Sequence, residues 1–240
     1  LGWEKTYLYP TSESSPYEGQ DSNNEIIWGQ LQVLSELLTN KSNNNIAIVS
    51  TERSLQPHLP PKGCLSSCCI NLTKGADINI DSLSNELAEL GYIRKNSIEI
   101  EGQWARRGDI IDIFPVNSEL PIRLELFGEE LEKIREFDPA SQRSLDQIEE
   151  ICITPTCYTP LIANRLRENT PINIDQLLDD ISFEKLINGE TPDGLKRLMG
   201  LAWNNPNTLL DYIAKNTCLV VDEKDQGLAH GENWFIHAEE

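Results

Sequence analysis

The sequence predicts an α/β protein in which a compact α+β unit is inserted between two α/β pieces. Its 240 residues are enough for one large domain or for two to three small ones. Apolar runs and amphipathic segments alternate along residues 1–75 in a β-α-β-α-β order, which is typical of a parallel sheet covered by helices. After residue 92 the apolar period changes from 3.6 to 2, which favours antiparallel strands within 76–154. Residues 155–240 are again mainly helical.

The first piece is predicted from short apolar segments and one clear amphipathic helix. The predicted strands cover 5–10, 45–50 and 68–75. The helix covers 24–40, where apolar residues recur at helical spacing: Ile27, Leu31, Leu34 and Leu38. A short second helix starts at "STERSL" and ends at the proline-rich "PHLPPKG".

The inserted unit begins with a predicted helix over 80–92, capped by Asp81 or Ser82 and ended by Gly91. Alternating apolar and polar residues then predict a mostly antiparallel meander. Its strands are expected in "SIEIEGQW", "DIIDIFP", "PIRLELF", "EELEKIREFD" and "EEICITP".

The third piece is predicted to hold helices at 159–169, 173–189 and 206–216. The apolar segment "TCLVVDEKD" (217–225) predicts a buried strand that ends in Asp222 and Glu223. Nucleoside triphosphatases use such a strand to hold Mg²⁺. The phosphate loop G-x-x-x-x-G-K-[ST] is missing from the sequence, however, so we expect no ATP chemistry in this chain.

The formal net charge of −19 argues against DNA as the main partner, because nucleic-acid binding usually needs a basic surface. No run of 18 apolar residues and no signal peptide are present, so we expect a cytoplasmic protein with no membrane partner. The absent initiator methionine predicts an internal fragment of a longer protein.

Metal and nucleophile chemistry are not predicted. The six cysteines are spaced as C-x3-C-C and C-x4-C with one further cysteine, and no histidine lies near them, which favours free thiols over a zinc site. The three histidines lie in proline-rich or terminal polar segments, which does not suggest a catalytic triad. We therefore expect no metal, no cofactor and no catalytic residue in the chain.

The most informative segment is the predicted strand pair over 106–130. On "PIRLELF", Ile122, Leu124 and Leu126 share one face and are predicted core residues. The opposite face carries Arg123, Glu125 and Phe127, and a phenylalanine on a polar face is unusual.

The preceding strand supplies the expected neighbours of that face. Alternation places Arg107, Asp109, Ile111 and Ile113 on one side. Pairing across "PVNSEL" puts Arg123 near Asp112, and Phe127 near Gly108 and beside Arg107. Two interpretations follow: a docking surface of arginines around an exposed ring, or a surface ion-pair ladder of Arg123 with Asp112 or Glu125, with Phe127 covered by a loop.

The same residues carry a family resemblance. "RRGDIIDIFPVNSELPIRLELFGEELEKIREFDPASQRSL" (106–145) resembles the UvrB-homology module, which is shared by the excinuclease subunit UvrB and bacterial transcription-repair coupling factors. "SSPYEGQ" upstream and "TLLDYIAKNTCLVVDE" downstream extend the resemblance to nearly the whole chain. The missing phosphate loop and the missing aromatic-rich DNA-clamping hairpin favour the coupling factors over a UvrB-like module that binds damaged DNA and hydrolyses ATP.

This resemblance implies a degenerate RecA-like domain in two parts, 1–75 and 155–240, with an inserted UvrA-binding domain at 76–154. Asp222 and Glu223 would be a degenerate Walker B motif. The UvrA-contacting positions fall on Arg107, Arg123 and Phe127, and the adjacent Arg106 is a further candidate. ATP, Mg²⁺, DNA and RNA polymerase would be bound by parts of the parent protein, a DNA translocase, that lie outside this chain.

Overall fold

A computed structural model of the chain describes residues 5–11, 24–39, 45–169, 178–188, 190 and 198–239. The chain divides into two compact units. One, the split unit, combines residues 1–66 with 158–240, and the other, the inserted unit, covers Ser67–Cys157. No helix among the described residues is long and apolar enough to cross a membrane.

The split unit contains a parallel pair of strands, β1 (Lys5–Leu8) and β2 (Ile46–Val49). Between them lies the helix α1 (Asn24–Thr39), and a 3-10 turn, Glu52–Leu55, follows β2. These elements confirm the first two predicted strands and the two predicted helices. The wider RecA-like sheet stays a prediction, because this pair is the whole parallel sheet of the split unit within the described residues.

Of the seven other helices in the described residues, four are shorter than predicted, and Lys62–Cys68, Met199–Ala202 and Lys224–Glu239 were not predicted. Their bounds are α2 Lys62–Cys68, α3 Ile80–Glu89, α4 Thr159–Glu168, α5 Asp180–Ile187, α6 Met199–Ala202, α7 Leu209–Tyr212 and α8 Lys224–Glu239. The predicted helix 173–189 is present from residue 180, and its positions 173–177 and 189 lie outside the described residues. The predicted helix 206–216 is reduced to α7, because Thr208 caps it closely and Ile213 leaves the helical conformation.

The prediction of a strand at 217–225 is wrong. Residues 217–221 have no strand partner, and Leu219, Val220 and Val221 are 60%, 84% and 61% exposed. An apolar run becomes a strand only where a neighbouring strand accepts its backbone hydrogen bonds, and the described residues supply none here. Asp222 and Glu223 therefore do not end a strand.

The third predicted strand belongs to the inserted unit and not to a parallel sheet. This strand, β3 (Ile70–Thr73), pairs antiparallel with β10 (Glu150–Ile153). Ile70 and Leu72 are buried in the core of the inserted unit, so the side-chain alternation of β3 fixes it there.

The main sheet of the inserted unit has six strands in the order β4-β5-β6-β7-β8-β9. Their bounds are β4 Ile93–Arg94, β5 Gln103–Arg107, β6 Ile110–Ile113, β7 Ile122–Phe127, β8 Glu130–Phe137 and β9 Ser144–Ile148. All neighbours pair antiparallel except β4 with β5, which confirms the predicted meander. The predicted strand "SIEIEGQW" is wrong over residues 97–102, since β5 begins only at Gln103. The strands β4 and β9 were not predicted.

One face of this sheet, the inner face, packs on α3. Leu83 and Leu87 of the helix join one buried cluster with Ile122 and Leu124 of β7, as predicted for those two strand residues. The N-cap of α3 is Asn79, whose side chain accepts from the Ser82 N–H at 2.9 Å, so the predicted caps are wrong by a few residues.

The C-terminal end of α3 agrees with the prediction. Gly91 follows the helix with φ +88°, the left-handed conformation in which glycine commonly ends a helix.

Candidate partner-binding surface

The opposite face of the six-stranded sheet, the outer face, carries the residues singled out in the sequence. Residues that pair directly across strands point to the same side of a sheet. One outer row runs across Ala105, Asp112, Arg123 and Arg135. The next row, one step nearer the hairpin turns, runs across Arg107, Ile110, Glu125 and Lys133.

Asp112 and Arg123 form a buried ion pair in the first row. The Arg123 Nε and Nη2 donate to the two Asp112 carboxylate oxygens at 2.7 and 2.9 Å, a bidentate geometry. Asp112 is only 5% exposed, and the Arg123 side chain is 18% exposed. This pair is the alternative that the sequence left open for Arg123, and it confirms the predicted register.

Two further contacts hold the Arg123 guanidinium in place. Its centre lies 4.5 Å from the ring centroid of the buried Phe137, and Nη2 also donates to Gln142 Oε1 at 3.1 Å. Hydrogen bonding to Asp112 raises the pKa of Arg123. Its hydrogen bonds to described residues use Nε and Nη2, so the two Nη1 hydrogens have no partner among those residues.

Two glycine turns shape the other end of the outer face. Gly108 (φ +63°) and Gly128 (φ +66°) each occupy the first position of a two-residue hairpin loop, where a positive φ is required. They lie at the same end of the sheet, because β5–β6 and β7–β8 turn in the same direction. A Cβ built on either glycine would meet nothing within 4 Å, so the space beside each glycine is open. The second turn is held to a neighbouring segment, since the Ile78 N–H donates to the Glu129 carbonyl at 2.7 Å.

Phe127 lies between these turns and is 80% exposed, which confirms the predicted outward orientation. Continuing the β6–β7 register beyond Ile110 and Glu125 places Gly108 opposite Phe127, and the Leu126 N–H donates to the Asp109 carbonyl at 2.9 Å. Within the described residues no loop covers the ring, so the alternative in which a neighbouring loop covers Phe127 is wrong there.

Arg106 and Arg107 point to opposite sides of the sheet. Arg107 pairs with Ile110 on the outer face. Its Nη2 donates a long hydrogen bond of 3.5 Å to the Asn96 carbonyl. Arg106 pairs with the buried Ile111 on the inner side, donates to the Gly108 carbonyl at 3.1 Å, and lies 4.0 Å from Asp81 of α3.

The predicted alternation that placed Arg107 and Ile111 on one side is wrong. Arg107 and Ile111 do not share a face, because the turn at Gly108 and Asp109 separates them into two strands. The turn also brings Ile110 outward, where it is 39% exposed, and this residue was missed in the sequence. The "R-G-D" signal could have found it, since a glycine between alternating residues indicates a two-residue hairpin loop.

We call Arg107, Ile110 and Phe127 the turn-end patch. It combines two exposed apolar side chains with an arginine that, within the described residues, has no carboxylate within 4.0 Å. The neighbouring Glu125 is compensated by Lys133 and Arg135, at 3.7 and 3.5 Å. The patch therefore offers an aromatic anchor and a cation that its own protein does not neutralise.

Asp222 and Glu223 lie far along the chain, at the start of α8 in the split unit. The Glu223 carbonyl accepts from the N–H groups of Gln226 and Gly227, and Glu223 itself has φ +45°. Acidic side chains are favoured at a helix N-terminus, which gives this pair a structural explanation. Their role as a degenerate Walker B motif stays a prediction.

In the parts of the chain that the structure describes, the six cysteines form no disulfide, and no group of three or more His, Cys, Asp or Glu side chains is placed to hold a metal ion.

Comparison with known proteins finds similar sequences over most of the chain. Residues 70–158 match the protein-family model described as "UvrB interaction domain", and all three residues of the turn-end patch lie in this range. The chain is also 31% identical over 237 residues to a transcription-repair-coupling factor of Staphylococcus aureus strain MRSA252. It is 30% identical over 239 residues to the Bacillus subtilis strain 168 protein of the same name.

The chain is similar to transcription-repair-coupling factors over most of its own length. The alignments cover 92% and 90% of the chain but 20% of each relative, so the chain spans about a fifth of the length of these curated relatives. The resemblance to coupling factors drawn from the hairpin motifs is thereby confirmed.

Proposed function

We propose that this chain is the UvrA-binding module of a longer transcription-repair-coupling factor. In that protein it would recruit UvrA, and with it nucleotide excision repair, to RNA polymerase stalled at a lesion. The observation that carries the proposal is the turn-end patch within the segment that matches a UvrB interaction domain. There an 80%-exposed Phe127 and an Arg107 with no carboxylate partner among the described residues lie at the same end of the outer face.

Phe127 would be the anchor of the contact. An exposed aromatic ring on a rigid hairpin loses little conformational entropy on binding and buries a large apolar area in a partner pocket. Ile110 would extend the same apolar contact toward β6. Because the Phe127 ring is 80% exposed, a partner surface can reach it without displacing a described segment.

Arg107 would pair with a carboxylate of UvrA. Its planar guanidinium can donate two parallel hydrogen bonds to one carboxylate, and charge-assisted bonds of this kind are stronger than neutral ones. The opposite orientation of Arg106 supports Arg107 as the contacting residue of the doubled pair.

Arg123 has a mixed role in this proposal. Arg123 donates from Nε and Nη2 to Asp112, and this bidentate pair mainly stabilises the packing of β6 against β7 on the outer face. The two Nη1 hydrogens remain for UvrA, at a site partly open to solvent. Substitution of Arg123 is therefore expected to reduce both stability and binding.

The proposal is tested by titrating the purified chain with purified bacterial UvrA in a calorimeter. We expect saturable binding of one chain per UvrA protomer. Absence of heat at micromolar concentrations of both proteins, with the chain folded by circular dichroism, would contradict the proposal.

We further propose that the split unit is a degenerate RecA-like domain and that ATP, Mg²⁺ and DNA act on other parts of the parent protein. The missing phosphate loop and the acidic charge support this assignment. Titration of the chain with Mg-ATP should show no binding. Tight, salt-sensitive binding of duplex DNA at low ionic strength would instead support a UvrB-like DNA clamp.

A further inference from the structure

Two cysteines lie together at the base of the inserted unit, where its first and last strands pair. Cys152 is in β10, opposite Asn71 of β3. Cys69 precedes β3 by one residue, so it lies on the same face of this ladder, diagonally across from Cys152. Both thiols are half-buried.

The register of the ladder brings the two thiols near each other on one face. The hydrogen bond from the Cys69 thiol raises the pKa of Cys69, and burial adds to that effect. Accepting the same bond lowers the pKa of Cys152. Cys152 is therefore the sulfur that more readily becomes a thiolate, the reactive form in thiol–disulfide exchange.

The backbone around the pair allows the sulfurs to move closer. The paired ladder begins at Ile70 and Ile153, so Cys69 lies outside it, in a bend. A small displacement of Cys69 would break no ladder hydrogen bond, whereas Cys152 is held within the strand. Formation of a disulfide needs such an adjustment, because diagonal positions lie about 7–8 Å apart and the Cα atoms of a disulfide are usually about 4.4–6.8 Å apart.

We propose that Cys69 and Cys152 form a redox-reactive dithiol that a low-molecular-weight disulfide converts to an intramolecular disulfide. The bond would join the strand that enters the inserted unit to the strand that leaves it. The proposal is independent of UvrA binding, since the pair lies on the β3–β10 ladder and not on the outer face of the main sheet.

The reaction has two exchange steps. The Cys152 thiolate attacks one sulfur of oxidised glutathione, which forms a mixed disulfide and releases one glutathione thiolate that takes up a proton. The Cys69 thiol loses its proton and attacks the Cys152 sulfur, which releases the second glutathione. In total two protein thiols are oxidised and one glutathione disulfide is reduced to two glutathione molecules.

The closed loop would contain nearly the whole inserted unit. A cross-link over a long loop reduces the conformational freedom of the unfolded chain, and we expect the thermal unfolding midpoint of the inserted unit to rise by about 10 °C.

The experiment incubates the reduced full chain with oxidised glutathione, blocks the remaining thiols with a maleimide, and maps the peptides by mass spectrometry. We expect one product that has lost two hydrogens and in which Cys69 is joined to Cys152, so that of six thiols four remain free. A disulfide from Cys68, which neighbours Cys69, to Cys152 would overturn the proposal, as would separate glutathione adducts without a cross-link.

Variants separate the roles of the two sulfurs. Cys69→Ser should stop at the mixed disulfide, so that glutathione stays attached to Cys152. Cys152→Ser should lose the reaction at this site altogether. The half-buried Cys157 is the matched control, and Cys157→Ser should form the same cross-link as the parent chain. If Cys69→Ser still formed a cross-link to Cys152 in the same yield, another cysteine would be the partner of Cys152, and the proposal would be overturned.

Discussion

The two ends of the outer face carry the same residue types in opposite circumstances. At one end Arg123 is paired with a buried carboxylate and lies over an aromatic ring that is fully buried. At the other end Arg107 has no such carboxylate among the described residues, and the aromatic ring, Phe127, is 80% exposed. The comparison indicates that an arginine near an aromatic ring stabilises the fold when a carboxylate of the same chain pairs with it. Where no such carboxylate is present, the arginine is available to a partner protein.

The largest expected effect is on stability, at the paired end. Asp112→Ala leaves the half-buried Arg123 guanidinium without its bidentate partner, and we expect the free energy of unfolding to fall by about 3 kcal/mol. Urea denaturation of the inserted unit measures this change. The exposed Asp146 provides the control, since Asp146→Ala should change stability by less than about 0.5 kcal/mol. If both substitutions lowered the free energy of unfolding equally, the Asp112–Arg123 pair would have no special role in stability, and this would contradict the distinction between the two ends of the outer face.

The next effect is on binding, at the turn end. Phe127→Ala should weaken UvrA binding by about 2 kcal/mol, roughly 30-fold, because the ring is proposed to be the buried anchor of the contact. The urea midpoint should not change, since the ring contributes little to the core. Leu145 of β9, which is 50% exposed, is a matched apolar control, and Leu145→Ala should bind UvrA as the parent chain does.

A smaller effect separates the two adjacent arginines. Arg107→Ala should weaken UvrA binding by about 1 kcal/mol, roughly fivefold, whereas Arg106→Ala should leave it unchanged because that side chain lies on the inner side of the sheet. Surface plasmon resonance with immobilised UvrA is sensitive enough for both. The reverse order of the two effects would assign the contact to Arg106.

The smallest effect extends the comparison to the split unit. Val220→Asp should change the free energy of unfolding by less than about 0.5 kcal/mol, because Val220 is 84% exposed. A loss of several kcal/mol would show that the segment is a buried strand, as the sequence alone predicted. Thermal denaturation of the full chain distinguishes the two outcomes.

The sequence predicted the part of the site that depends on local alternation. The faces of β7 follow from the alternating residues of "PIRLELF", and the length of the loop before it put Arg123 opposite Asp112. These features need only the period of a strand and one loop.

Features that depend on a turn or a distant partner were not predictable. A two-residue turn at Gly108 changes the side of every following residue, which is why Ile110 was missed and Arg107 was grouped with Ile111. Leu219–Val221 has the composition of a strand, but strand formation depends on a neighbour that no local pattern identifies. The proximity of Cys69 to Cys152 depends on the pairing of strands at opposite ends of the inserted unit.

The most direct test of the central claim compares two double variants in one UvrA titration. Arg107→Ala with Phe127→Ala removes two residues of the turn-end patch, and Arg106→Ala with Leu145→Ala removes an arginine and an exposed apolar residue from elsewhere in the sheet. We predict that the first double variant binds UvrA roughly 100-fold more weakly than the second, with equal unfolding midpoints. Equal affinities of the two would show that UvrA does not bind the turn-end patch.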